Sequence, residues 1–448
     1  MNSIPWVELT LAVPLLGAAL ILPIRDRALA YRLSLGITVF VLVLSLIASF
    51  GPPVEPWPPL VELFGRPLFD ADQVNGPLIP LMALFHVLTV MTTARTKSHR
   101  FSFAGALGGE TVRLGTVACV DKGALVVLLT IATVAPFFEL LRRGKPTRVY
   151  CIHMSLFATL LIGGWSATEA GSTTLGPLAL MLAILLRCGV VPAHLWIADL
   201  FENASFGAAL LFAVPLVGIY AAVRLVLPVA PNWMLDAIGF LSLFTALYAA
   251  GMALVQTEAR RFFAYLFLSN SSLVLLGLEL HTALSLAGSL YLWLSVSLAL
   301  TGLGLTLRAL EARYGRLSLK GYRGLYDQSP TLACCYLITG LATVGFPGTI
   351  GFIAAELLMD GAVAADLALG IGLILAAAIN GIGVVRVYFL LFTGTRHESA
   401  APLGVTNAER IAILTIIGLI FLGGIFPQPA VADRYKAAEQ IKMERNKP

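Results

Sequence analysis

Polar residues along this chain are sparse and clustered. The stretches between them stay apolar for about 20 residues at a time, the length an α-helix needs to cross the hydrocarbon core of a bilayer. Fourteen such stretches can be placed. They run over 7–24, 31–50, 74–94, 102–120, 122–141, 150–167 and 173–191, then over 206–227, 234–255, 262–280, 283–307, 331–354, 365–394 and 408–426. The stretch at 102–120 is the least apolar, since it contains Glu110 and Arg113. Proline at Pro192 and the string Gly345-Phe346-Pro347-Gly348 interrupt two of them, so broken helices are expected near Pro192 and Pro347. Loops are short apart from the Pro-rich 51–73 and the basic 308–330, which leaves no room for a soluble domain. The expected fold is an all-α polytopic membrane protein of about 14 transmembrane helices, a single membrane-embedded domain over 1–448. Its end, 428–448, is expected to be an exposed basic tail.

Composition agrees with this class. The chain is 58% hydrophobic and 12% charged, with a mean hydropathy of +0.87, whereas a soluble domain carries about 25% charged residues. The net charge of +5 invites a nucleic-acid reading, but the distribution of the basic side chains excludes it. Nineteen Lys and Arg fall in odd-numbered loops and two, Arg66 and Lys122, in even-numbered ones. By the positive-inside rule the odd loops face the cytoplasm and both termini the opposite side of a bacterial-type cytoplasmic membrane. The five cysteines form no C-x-x-C pair, so neither a disulfide framework nor a metal site is indicated, and no cofactor is called for. The N-terminus lacks a basic region before its apolar run and reads as a retained first span.

Ionisable groups within spans are functional candidates, because each costs about 3 kcal/mol or more at the bilayer centre. Glu110 and Arg113 are spaced i,i+3, on one helical face where they can neutralise each other. Arg187 ends an apolar run just before Pro192, His194, Trp196 and Asp199. An arginine does not release its proton, so Arg187 suits a fixed positive charge better than a relay. His194 and Asp199 are too few for a metal site and suit hydrogen bonding of a turn. His86 and His153 are lone histidines within apolar spans. Glu356, one to two turns beyond the Pro347 break, is the acid best placed to change charge state once desolvated.

Arg187 to Asp199 resembles the seventh-helix signature of the antiporter-like membrane subunits shared by respiratory complex I, membrane-bound hydrogenases and Mrp-type Na+/H+ antiporters. There a Lys precedes Pro-x-His-x-Trp-(Leu)-x-Asp and a small-residue stretch like Asn203-Ala204-Ser205. QTEARRFFAYLFLSNSS, from Gln256 to Ser272, resembles the family's acidic-x-basic-Arg-x-x-Ala-Tyr-x-x-x-Ser string. FPGTIGF is similar to the element before its twelfth span, RVYFLLFTG from Arg386 to Gly394 to its Arg-x-Tyr-x-x-x-Phe-x-Gly, and Asp72 to the Asp before its third span. The match covers roughly 70–394.

The resemblance implies a subunit of a larger complex that moves protons or cations along a mid-membrane polar axis, with other membrane subunits as partners. It leaves open a soluble or peripheral partner on the cytoplasmic side. No catalytic chemistry is expected in this chain alone, which is at most a subunit of a proton-translocating oxidoreductase. Its relay positions are altered: Arg187 replaces the seventh-helix Lys, and Ile131 or Thr130 falls where the fifth-helix acid belongs, with Glu139 three residues later than that position requires. Leu216, Val296, Ala355 and Asn270 stand at other relay positions. Two readings follow. In the first the chain translocates protons or cations, with Glu139, Arg187 and Glu356 left from the path. In the second it is a non-conducting scaffold or coupling subunit, for example the membrane partner of a two-component inorganic-carbon uptake system.

Overall fold

A computed structural model describes residues 4–51, 65–93, 101–214, 216–279, 282–394 and 404–445. The stretch 52–64 of the Pro-rich loop, the basic loop segments 94–100 and 395–403, and the last three residues of the tail lie outside the described residues. The N-terminal unit begins with α1 (Trp6–Ile21), α2 (Arg27–Phe50), α3 (Leu78–Met91), α4 (Phe103–Ala118), α5 (Lys122–Ala132) and α6 (Val134–Arg142). Then come α7 (Arg148–Glu169), α8 (Leu175–Cys188), α9 (Leu195–Asn203), α10 (Phe206–Ala213), α11 (Val217–Ala221) and a π-helical turn over Ala222–Val226. The remainder is α12 (Asn232–Val255), α13 (Ala259–Glu279), α14 (Ala283–Tyr314), α15 (Pro330–Ala342), α16 (Ile350–Ala365), α17 (Leu367–Phe392), α18 (Asn407–Ile425) and α19 (Gln428–Arg445). Among the described residues there are no strands, only the isolated bridges Phe69–Cys119 and Glu258–Ser318.

Each of the fourteen apolar stretches carries helix. Among the described residues, nine helical runs are long and apolar enough to cross a membrane, and α1, α3, α8 and α15 are shorter apolar helices. The chain is a polytopic membrane protein. It divides into two compact units, Met1–Glu139 and Leu140–Pro448.

In the first unit α4 touches all of α1, α2, α3 and α5. Its glycines and alanines keep it slim enough for four neighbours to close on it, which is why the charged pair it carries ends up inside. Two short loops lock its far end. Asn75 donates from Nδ2 to the carbonyls of Asp70 (2.9 Å) and Val117 (3.0 Å). Asp72, the acid singled out in sequence, accepts from the backbone N–H groups of Val74 and Asn75 at 2.9 and 3.0 Å. Asp72 therefore shapes the entry to α3.

In the second unit α13 is buried along its whole apolar length and α14 along most of it, whereas α7, α12, α17 and α18 bury only a minority of their surface. The outer helices present large apolar side chains such as Ile152, Phe240, Ile382 and Leu414 to their surroundings. Lipid is the solvent that tolerates such a surface.

Three helix breaks shape this unit. Gly189, at φ 73°, ends α8 in the left-handed conformation, and the N–H of Val190 bonds the carbonyl of Leu185 at 2.9 Å, the Schellman arrangement. The break is thus set three residues before Pro192, where the sequence located it. The second break lies between Ala342 and Ile350, around Pro347 as expected. The third falls inside the stretch 206–227, which the sequence suggested as one continuous helix. There α10 stops at Ala213, Leu216 takes a left-handed φ of 53°, and α11 runs into the π-helical turn. A non-glycine residue in that region is strained by about 1–3 kcal/mol, and the signal for a break in the sequence is the preceding Pro215. The C-terminal tail is helical, but it is not exposed all round: Arg434, Ala437, Ala438 and Ile441 of α19 are buried, and the helix packs on α14.

Candidate functional site

Among the described residues of the N-terminal unit, three buried ionisable groups cluster together. Glu110 is completely buried, as is His86 on α3, and Arg113 is buried beside them. The i,i+3 spacing does set Glu110 and Arg113 on one face of α4, yet the expected bridge between them is not formed. The guanidinium turns across to α3, where Nε and Nη2 lie 3.1 and 2.6 Å from Nε2 of His86. Arginine can only donate, so His86 accepts at Nε2 and is a neutral ring carrying its proton on Nδ1. That nitrogen lies 3.0 Å from the carbonyl oxygen of Met82 and donates to it. Both carboxylate oxygens of Glu110 are left without a hydrogen-bond partner. Proton exchange is open to Glu110 and His86, and Arg113 supplies the fixed charge between them. His86 was visible in the sequence only as a lone histidine, because its partner is 27 residues away.

Arg187 occupies the last turn of α8 in the second unit and is buried. Its guanidinium carbon stands 4.2 Å from the ring centroid of Phe212 and 5.5 Å from that of Trp196. Those rings and Tyr150 meet one another edge to face. Nη2 donates to the carbonyl of Phe212 at 3.3 Å. The third break frees that carbonyl, since the N–H of Leu216 bonds Ala213 instead. Gly218 admits α11 to this site: a Cβ there would come within 2.8 Å of Cys188 Sγ and 3.2 Å of Arg187 Cγ. The charge is thus held by π faces, a freed carbonyl and the negative end of its own helix. Within its own unit no carboxylate pairs with it among the described residues.

Around the second break the polar groups are neutral. A cavity of about 20 Å³ between Asn270, Thr343, Ala355 and Asn380 has room for about one water molecule. Asn380 Nδ2 donates to Ser269 Oγ at 2.8 Å, and Ser269 donates to the carbonyl of Ala246 at 2.9 Å. Oδ1 of Asn380 is buried without a partner. Ala355 faces this cavity, whereas Glu356, one residue on, is exposed on the outer face of α16. Glu356 therefore does not line this cavity, because a helix turns its successive side chains by about 100°.

The other sequence candidates are dispersed. Glu139, half-buried on α6, is the last residue of the first unit. His194 is buried edge-on to Tyr248, with ring centroids 5.3 Å apart. Asp199 accepts from Asn203 Nδ2 at 2.9 Å.

Sequence reasoning missed the strongest electrostatic contacts of the second unit. Arg260, at the start of α13, meets Glu311 of α14 at 2.6 to 3.0 Å through Nε and Nη2. Its Nη1 donates to the carbonyls of Phe201 and Ala204 at the end of α9. Arg313 grips Glu409 the same way at 2.6 and 2.9 Å. The Arg260 contact explains the string around Gln256–Ser272 as a clasp between three helices. Its signal was the charge pair Glu258/Arg260, but the true partner is 51 residues distant.

The transmembrane family model described as NADH:quinone oxidoreductase/Mrp antiporter matches residues 152–380, just over half of the 448 residues. The chain belongs to this family. Over 96% of its length it is 24% identical to NADH-quinone oxidoreductase subunit M of Mycobacterium tuberculosis, covering 93% of that protein. Over 56% of its length it is 31% identical to NADH-quinone oxidoreductase subunit 13 of Thermus thermophilus, covering 54% of it. A chain of the respiratory complex I structure from Thermus thermophilus with bound NADH has the same fold, with a TM-score of 0.86, 23% identity, and 98% of this chain and 100% of that chain covered. A chain of the Mrp complex from Dietzia sp. DQ12-45-1b follows at 0.84 and 18% identity, covering 97% of each.

Proposed function

We propose that this member of the NADH:quinone oxidoreductase/Mrp antiporter family is an antiporter-like membrane subunit of a larger complex and that it translocates protons. In this reading all fourteen stretches span, with both termini outside the cytoplasm, and a peripheral partner docks on the basic cytoplasmic side. The observation that carries the reading is the internal cluster of His86, Glu110 and Arg113. Three ionisable groups in the middle of a membrane helix pair are costly, on the order of 3 kcal/mol each, and two of them can exchange a proton. Loss of a proton from Glu110 would draw Arg113 to the carboxylate and free Nε2 of His86 to accept one. Arg187 serves as the fixed positive charge of the second unit. Glu139, His194, Asp199 and Glu356 are secondary candidates.

A second reading, a non-conducting scaffold or coupling subunit, is favoured by the uncharged cavity at the second break and by the outward placement of Glu356. Proton flux into liposomes containing the purified complex, under an imposed potential, separates the two. Glu110→Gln and His86→Gln are each expected to lower flux by about 10²-fold or more, the scale of losing a proton-transfer group, while assembly survives. Wild-type complex without flux would establish the scaffold reading. Flux unchanged in both variants would remove the cluster from the path.

A further inference from the structure

Arg386 lies six residues before the end of α17, a helix of 26 residues. At 1.5 Å per residue this helix is about 39 Å long, some 9 Å more than the roughly 30 Å hydrocarbon core. Each end therefore projects by about 4–5 Å, and Arg386 sits near the boundary between acyl chains and headgroups, within reach of a side chain that extends toward water. Among the described residues its guanidinium makes no hydrogen bond or ion pair, and Nη1 is buried without a partner.

The surroundings form an open groove. A volume of about 570 Å³ lies between Arg386, Phe389 and Thr393 on one side and Tyr322 on the other. Its walls are fixed by backbone bonding. The N–H groups of Arg323, Gly324, Leu325 and Tyr326 bond the carbonyls of Leu390, Thr393, Leu391 and Phe392 at 2.8 to 3.2 Å, which satisfies the orphan acceptors at the end of α17. Tyr322 is thereby held over Gly394, and the residue is 65% exposed. Away from the mouth, Ile382, Val385 and Phe389 continue as an exposed apolar strip down the helix.

We propose that this groove binds an anionic phospholipid, with the phosphodiester on Arg386 and the acyl chains along Ile382, Val385 and Phe389. Arg386 offers one uncompensated positive charge beside an apolar track, at the depth where lipid phosphates lie. A single anionic headgroup neutralises it. Phosphatidylethanolamine brings its own ammonium group and leaves the site with a net positive charge. Tyr322 provides the amphipathic ring that suits an interface.

The test uses the complex purified from membranes. Native mass spectrometry with added phosphatidylglycerol or phosphatidylethanolamine is expected to show preferential retention of the anionic lipid. Arg386→Gln should abolish that preference, a loss of about fivefold, while Arg386→Lys retains part of it. Arg323→Gln, whose side chain is engaged by the carbonyl of Ser318, should leave it unchanged. A photoactivatable phosphatidylglycerol on the unaltered complex gives a readout that needs no variant, and its adducts are expected on peptides containing Tyr322 or Phe389. Equal retention by wild type and Arg386→Gln would overturn the proposal. So would competition by inorganic phosphate at the same concentration, which would indicate a free-anion site. Cross-linking of Phe389 to a neighbouring subunit in place of lipid would also overturn it.

Discussion

Breaking the contact between Arg260 and Glu311 should markedly weaken the second unit. Side-chain exposure is only 11% and 7% at the two ends, so the pair is shielded and Coulomb attraction is not lost to screening. Glu311→Gln keeps the shape and removes the counter-charge, leaving a buried guanidinium alone. Breaking a buried pair in this way costs about 3–5 kcal/mol. Arg260→Ala should cost at least as much. It strands the Glu311 carboxylate and also removes the donor for the carbonyls of Phe201 and Ala204, worth about 1–3 kcal/mol for each buried acceptor left unmade.

Removing both charges together, with Arg260→Ala and Glu311→Gln in one chain, eliminates the stranded ion. The double variant is therefore expected to be less destabilised than the sum of the singles by about 2 kcal/mol or more. Reversible unfolding in mixed detergent micelles would supply the four free energies of the cycle. If Glu311→Gln lowers stability by less than about 1 kcal/mol, as for an exposed pair, or if the two changes add, the clasp does not hold α9, α13 and α14 together as described.

Other outcomes follow from the breaks. Gly189→Ala forces a side chain into a left-handed φ of 73°, with its Cβ 2.4 Å from Ile197 Cδ1 and 2.8 Å from Leu268 Cδ2. A loss of about 2 kcal/mol or more is expected, with partial recovery on adding Ile197→Ala; no recovery would mean that backbone strain alone sets the cost. Arg187→Lys restores the residue type expected from the family resemblance but loses the planar contact with Phe212. It should lower thermal stability, by about 1–2 kcal/mol if the π contact is desolvated, and a more stable variant would refute the aromatic holding of this charge.

The sequence by itself determined the membrane class, the fourteen apolar stretches, the family and two of the three breaks. Crossing a bilayer is a local requirement: about 20 apolar residues suffice, whatever the rest of the chain does. Helix punctuation by Gly189 and Pro347 is local as well. What only the tertiary structure decided is which charges meet. Glu110 and Arg113 share a helical face in any reading of the spacing, yet Arg113 is captured by His86 from another helix. Glu356 looked internal by its distance from a break, but the rotation of α16 turns Ala355 inward and Glu356 out. Leu216 takes a left-handed conformation that Pro215 beside it does not by itself require. Apolar length is a sum over neighbours in the chain, whereas the partner of a buried charge is chosen by contacts between residues tens of positions apart.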